Sequence, residues 1–276
     1  MNYFERFRVQ PGTKVKLKEI DASFKDRHES HKEAAEEIES YQKRLRALQD
    51  LLYAEKRRSV LICLQAMDTG GKDGTINHVL AAMNPQGCRV VGFRQPSAEE
   101  SAHDFLWRVH RAAPARGEVV VFNRSHYEDV LIVRVHNLVP QNVWSRRFER
   151  INAFEKGLNE HDTNILKFYL HISKQEQLRR FKDRLDEPTK QWKISEADYA
   201  ERKYWDDYIA AYEDALSRCS TEDAPWFIIP ADHKWFRNLA VARIIVERLE
   251  GLKMAYPKPK VDIQHIRREY HAAKEQ

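Results

Sequence analysis

The groups best suited to chemistry in this chain lie together in SVLICLQAMDTGGKDGTINHV, residues 59–79. Ala66-Met67-Asp68-Thr69-Gly70-Gly71-Lys72-Asp73 reads A-x-x-x-x-G-K-D, close to the phosphate-loop pattern G-x-x-x-x-G-K-[ST] and different from it at two positions. The physical essentials remain. Gly70 and Gly71 let backbone N–H groups turn inward, a following helix brings its positive end to an anion, and Lys72 adds a point charge. Gly70, Gly71, Lys72, Asp73 and Gly74 form the expected phosphate-binding set. Asp73 replaces the hydroxyl that ordinarily touches a metal, so it is either a participant or a helix-start carboxylate favoured by the macrodipole. Asp68 would repel a polyanion unless a cation or proton lies between, which makes it a partner for Mg²⁺ or Mn²⁺, or a group that orients the acceptor.

A second cluster is VVVFNRSHYED, residues 119–129, an apolar strand ending in polar groups at its carboxyl end, where open α/β sheets bind ligands. Asn123 stands where many phosphate-loop proteins place a metal-holding aspartate. Arg124 offers a planar fork to phosphate oxygens. Glu128 and Asp129 either reach a nucleotide or are ordinary carboxylates of a first helical turn. The third cluster, RRFKDRLDEPTKQWK (179–193), has six basic and three acidic residues. Arg179, Arg180, Arg184, Lys190 and Lys193 are candidates for an anion track on a hinged lid over 179–218, against the alternative of a solvated helix face.

The elements that must carry these groups alternate. Short apolar runs at 60–65, 89–93, 118–122, 165–172 and 226–229 predict five strands of a mostly parallel sheet. Helical patterns fill 72–83, 98–113, 141–161, 173–185, 197–218 and 235–252, and Ser97 with Glu100 predicts a capping box. The stretch 28–57 reads as an amphipathic packing helix through Ile38, Tyr41, Leu45, Leu48 and Leu52. The expected fold is three-layer αβα, a single domain over 1–276 with a helical extension (1–57), a helical lid and a tail (257–276) ordered poorly or only against a neighbour. An apolar content of 42% supports a real core, whereas a net charge of +5 permits an anionic partner without requiring nucleic acid. No long apolar run or leader is seen, so a cytoplasmic protein without membrane association is expected. Cys63, Cys88 and Cys219 are too scattered for a zinc site or a structural disulfide.

In the order and spacing of these blocks the chain resembles the polyphosphate kinase 2 family, most like its class III members. The blocks are RVQPG, LLYAE, LQAMDTGGKDGTI, NPQGCRV, DFLWRVH, FNRSHYEDVLIVRV, NLVP, LHISKQEQ, RLDEPTKQWK, APWFIIPAD and LEGL. The resemblance implies a phosphate-loop kinase fold similar to thymidylate kinases, and Mg²⁺-dependent phosphoryl transfer between inorganic polyphosphate and AMP, ADP or ATP. It further implies a homo-oligomer, dimer or tetramer. By position it makes Asp68 the essential loop carboxylate and metal partner, Lys72 the phosphate-binding lysine, Arg124 the nucleotide-phosphate arginine and Arg184 a lid contact. Asn123, Arg124, Glu128 and Asp129 form the nucleotide-binding set, and Asp68, Lys72 and Arg124 the catalytic one. Two other functions share some of these features: an ATP-dependent nucleotide kinase of thymidylate type, and a non-catalytic polyanion or nucleic-acid binder.

Overall fold

The computed structural model describes residues 2–28 and 30–274. Strands β1 (Ser59–Ala66), β2 (Cys88–Gly92), β3 (Val119–Asn123), β4 (Thr163–His171) and β5 (Trp226–Pro230) form one sheet, ordered β2-β3-β1-β4-β5. Every strand pair is parallel. All of β1 and β4 is buried, which is why these central strands read as near-continuous apolar runs. Along β1, Val60, Ile62, Leu64 and Ala66 enter one core cluster while Leu61 and Cys63 enter another. On β3, Val119 and Val121 divide from Val120 and Phe122 in the same way. Side chains of period two on a strand buried on both faces demand cover on both sides, giving three layers.

The helices are α1 (Tyr3–Phe7), α2 (His31–Glu55), α3 (Lys72–Val79), α4 (Ala98–Ser101), α5 (Trp107–Ala112), α6 (Ile132–Val135), α7 (Gln141–Glu160), α8 (Lys174–Asp186), α9 (Glu196–Arg202), α10 (Trp205–Cys219), α11 (Lys234–Gly251) and α12 (Ile263–Lys274), of which α4, α9 and α12 bury no residue and the others supply the cover. The capping box is present: Ser97 N–H donates to Glu100 at 2.9 Å, and Glu100 N–H donates to the Ser97 hydroxyl at 3.2 Å. Two helices expected as single rods are divided. The stretch 98–113 breaks because Asp104 accepts the Leu106 N–H at 2.9 Å, a local turn that competes with the helix. The stretch 197–218 breaks because α9 buries nothing whereas α10 must turn Trp205, Tyr212 and Leu216 into the core.

Residues 2–57 do more than extend the domain. Val9 N–H donates to the Trp226 carbonyl at 2.8 Å and Arg8 bridges Phe227 antiparallel, so this segment covers the outer edge of β5. Tyr3 and Phe7 pack on Phe236 of α11, with ring centroids 5.9 and 6.1 Å apart. Helix α2 lies along α11 with Leu45 and Leu52 buried and Ile38, Tyr41 and Leu48 half-buried, a packing helix as its spacing predicts. In the tail α12 is formed, and residues 255–274 are exposed throughout. Cys63 and Cys219 are buried free thiols, and Cys88 is a half-buried one. Among the described residues no helix is long and apolar enough to cross a membrane.

Strand β1 sits where the chain order reverses, with β3 and β2 on one side and β4 and β5 on the other. The crevice at the carboxyl ends of the strands opens there.

Candidate active site

The loop after β1 is held by its own backbone and by α8. Gly70 N–H donates to the Met67 carbonyl at 2.9 Å, Gln177 donates to the Asp68 carbonyl at 3.1 Å, and Arg180 donates to the Thr69 carbonyl at 2.8 Å. Thr69 adopts φ 63°, a left-handed conformation that non-glycine residues hold mainly where surrounding contacts fix it. Gly71, the N-cap of α3, has φ 102°. A β-carbon there would meet Arg237 Nη1 at 1.8 Å, so any other residue is strained by the backbone angle and must also displace that guanidinium. Gly71→Ala is expected to cost about 1–3 kcal/mol in backbone strain, and to lower turnover further by displacing the loop. Urea unfolding of the variant beside an activity assay checks both effects, and wild-type stability would contradict this account of the turn.

Lys72 Nζ donates to the Ala66 carbonyl at 3.2 Å, arching back over the loop. Burial and the neighbouring Arg124 push its ammonium below the usual lysine range, against the pull of Asp68, Glu128 and Asp73. An anion beside the loop would favour the charged ammonium.

At the end of β3, Arg124 is left-handed at φ 62°, and its N–H donates to the Leu64 carbonyl at 3.1 Å. That turn sends its guanidinium across to Asp68, with Nη2 3.4 Å from Oδ1. Burial opposes its charge, but Glu128 and Asp68 outweigh burial and hold it above the ordinary range. Asn123 donates to the Asp73 carboxylate at 2.8 Å, joining the β3 end to the first turn of α3. Glu128, in the 3-10 turn His126–Val130, is half-buried, and burial raises its carboxyl above the usual range despite Arg124 and Lys72. The turn also separates the acidic pair. Asp129 accepts from Arg147 at 3.0 Å and lies 3.9 Å from Arg108, whereas Glu128 acts on the charges of Arg124 and Lys72; neither carboxylate belongs to the cleft lining, which Asn123 and Arg124 reach.

The cleft above the loop has a volume of about 1030 Å³. Nine Lys and Arg side chains line it against four Asp. Among them, Arg184 donates to the Lys193 carbonyl at 2.7 Å, while Lys190 pairs with Glu187. Arg179 points elsewhere, bound to Glu176 at 2.6 Å and Asp183 at 3.0 Å and absent from the lining. Arg180 is 5% exposed and committed to Glu176 and to the loop, so it clamps the loop more than it lines a track. Residues 182–204 include none that is buried, whereas α10 belongs to the core, so within the 179–218 expected as a lid the exposed stretch is 182–204.

The lining also holds Arg94, Lys234 and Arg237, which the sequence reading did not single out. Each follows the carboxyl end of a strand: Arg94 after β2, the other two after β5. The rule that selected Arg124 would have found them had it been applied to every strand.

A divalent ion suits this arrangement. Among the described residues no cluster of three or more His, Cys, Asp or Glu forms an all-protein cage. Mg²⁺ is commonly held by one or two carboxylates with waters and substrate phosphates, which matches a partly exposed Asp68 beside a phosphate loop.

Comparison with known proteins agrees with this geometry. A profile of the family Polyphosphate kinase 2 matches residues 27–257. The chain is 51% identical over 263 residues to the AMP/ADP-polyphosphate phosphotransferase of Meiothermus ruber, covering 95% of this chain and 98% of that protein. It is 48% identical over 266 residues to the ADP-polyphosphate phosphotransferase of Rhodopseudomonas palustris, covering 92% of each. The crystal structure of polyphosphate kinase 2 from Arthrobacter aurescens superposes with a TM-score of 0.95 at 41% identity, over 99% of this chain and 97% of that one.

Proposed function

The chain belongs to the polyphosphate kinase 2 family, and from that premise we propose that it transfers a phosphoryl group from inorganic polyphosphate to AMP and ADP, reversibly and with Mg²⁺. The observation that carries this reading is the charge of the cleft, nine cationic side chains against four carboxylates around a single phosphate loop. Two polyanions meeting end to end need that excess, since each repels the other.

Phosphoryl transfer asks for in-line placement and neutralisation of equatorial charge more than for covalent help. The loop N–H groups and Lys72 hold the donor's terminal phosphate. Arg124, anchored at the β3 end and reaching Asp68, stands between the loop and the acceptor and meets charge from both. Asn123 lines the cleft on the acceptor side, and Glu128, outside the lining but interacting with the charges of Arg124 and Lys72, would act on a nucleotide through Arg124. A bound Mg²⁺ would screen the phosphates, with Asp68 as its protein ligand. Exchange between phosphoanhydrides is close to thermoneutral, so direction follows concentrations. The working unit is taken to be a homo-oligomer, dimer or tetramer, which light scattering measures.

The deciding experiment is product analysis with AMP and ADP as acceptors and either polyphosphate or ATP as donor. Transfer from polyphosphate supports the reading, whereas transfer from ATP alone replaces it with a thymidylate-type nucleotide kinase. Steeply salt-dependent binding to RNA or DNA without transfer would make it a polyanion binder. Arg184 provides a second test, because it lines the cleft and ties α8 to the turn carrying Lys193. Arg184→Ala is expected to raise the KM for long-chain polyphosphate by about 10-fold while that for ADP changes less than about twofold. Equal changes in both would argue against a donor track on this segment.

A further inference from the structure

Arg237 stands on the first turn of α11 with only 2% of its surface exposed. Among the described residues no carboxylate lies within ion-pair distance of it. Its hydrogen bonds go to a neutral neighbour: Asn238 Oδ1 accepts from Nε at 3.1 Å and from Nη2 at 2.8 Å. Those two bonds fix the plane of the fork and leave Nη1 directed at the phosphate loop. The closeness is read from the glycines opposite: a β-carbon on Gly71 would sit 1.8 Å from Nη1, and one on Gly74 would sit 2.9 Å from Nη2. The spacing G-x-x-G at the start of α3 is thus the imprint of a guanidinium lying against the loop.

A buried arginine without a counter-charge is costly to the free protein. Burial, with Arg180 adding repulsion, pushes its guanidinium down to about 9, and no acidic group offsets the fall. A structural arginine would have been given a carboxylate, as Arg180 has Glu176 at 2.6 Å. Position indicates which anion is meant. The strand order β2-β3-β1-β4-β5 puts Asn123 and Arg124 on one side of the loop, and Lys234 and Arg237, which follow β5, on the other. The nucleotide-facing groups and Arg237 therefore flank the loop from opposite sides.

We propose that Arg237 is a donor-binding residue whose guanidinium, set behind Gly71 and Gly74, is the resident counter-charge for a condensed-phosphate chain seated on the loop. This rests on the phosphotransferase reading for the identity of the donor, but binding alone can test it. Tripolyphosphate and ADP are titrated separately by calorimetry into wild type, Arg237→Met and Arg237→Lys, and the melting temperature of each ligand-free protein is recorded. The expected result is that Arg237→Met weakens tripolyphosphate about 10–100-fold and ADP less than about twofold, with Arg237→Lys between. The ligand-free Met variant should melt no lower than wild type, since an uncompensated buried charge has been removed. Loss of less than about fivefold for tripolyphosphate, or equal loss for both ligands, overturns the proposal. Should Arg237→Met fail to fold, Gly74→Ala keeps the arginine and displaces its fork, and the same selective loss is required of it. Wild-type protein that binds tripolyphosphate through Arg237 but forms no ATP from ADP would defeat the phosphotransferase reading and leave this site standing. Transfer with undiminished polyphosphate affinity in Arg237→Met would do the reverse.

Discussion

Lys72→Ala is expected to lower turnover by about 10²–10³-fold and to leave the fold intact, because it removes a preorganised cation from where charge develops on the transferring phosphate. The side chain supports little else. Among the described residues it donates to the Ala66 carbonyl at 3.2 Å, within the loop itself. Burial and Arg124 already depress its proton affinity, so the free protein gains little from the ammonium, and its benefit comes only with an anion present. Lys72→Arg should restore only part of the rate, since a planar fork cannot occupy the site of a compact ammonium. Single-turnover rates with saturating ADP and polyphosphate, taken beside circular dichroism, provide the measurement. Full activity in the alanine variant would remove the loop from the mechanism.

The second large effect lies in the core. Lys167, on β4, is fully buried, with Nζ 2.5 Å from Glu155, 2.8 Å from the Tyr127 hydroxyl and 2.6 Å from the Cys219 carbonyl. Glu155, on α7, also accepts from His126 at 3.0 Å and from Tyr127 at 2.9 Å. The network ties β4, α7 and α10 to the turn 126–130, and so holds the segment that carries Arg124 and Glu128. Lys167→Met leaves the buried Glu155 carboxylate with its His126 and Tyr127 hydrogen bonds but without the ammonium, a change expected to cost about 3–5 kcal/mol by urea unfolding. Lys167→Met combined with Glu155→Leu should recover most of that loss, because the pair as a unit contributes little net stability. A single variant within about 1 kcal/mol of wild type would show that the network is not holding the turn.

The network also sets an acid limit. Burial opposes the Glu155 charge, yet Lys167 and His126 outweigh it and hold the carboxyl below its ordinary 4.5. A depressed folded value means the stabilisation is complete above about pH 4.5 and is lost as pH falls through the lower folded value. Lys167→Met should therefore lose the acid side of the stability curve at higher pH than wild type.

What the sequence by itself determined is local. Apolar runs marked the five strands to within two residues, because central parallel strands are buried on both faces and cannot carry much else. The glycines and Lys72 marked the phosphate loop, because only that backbone geometry gathers amides on an anion. Tertiary structure decided which charges reach the cleft. Within FNRSHYED, Arg124 lines the cleft while Asp129 is drawn into a pair with Arg147 and Glu128 acts on Lys72 only through its charge, since a 3-10 turn rotates successive side chains by about 120°. In RRF, Arg179 faces outward to Asp183 while Arg180 turns inward onto the Thr69 carbonyl. Arg237 lies more than 160 residues from the loop it contacts, and Lys167 was hidden inside an apolar strand. Composition and spacing record which charges a chain owns. Whether a charge meets substrate, a partner or the core depends on the strand order that brings distant segments to one edge of the sheet.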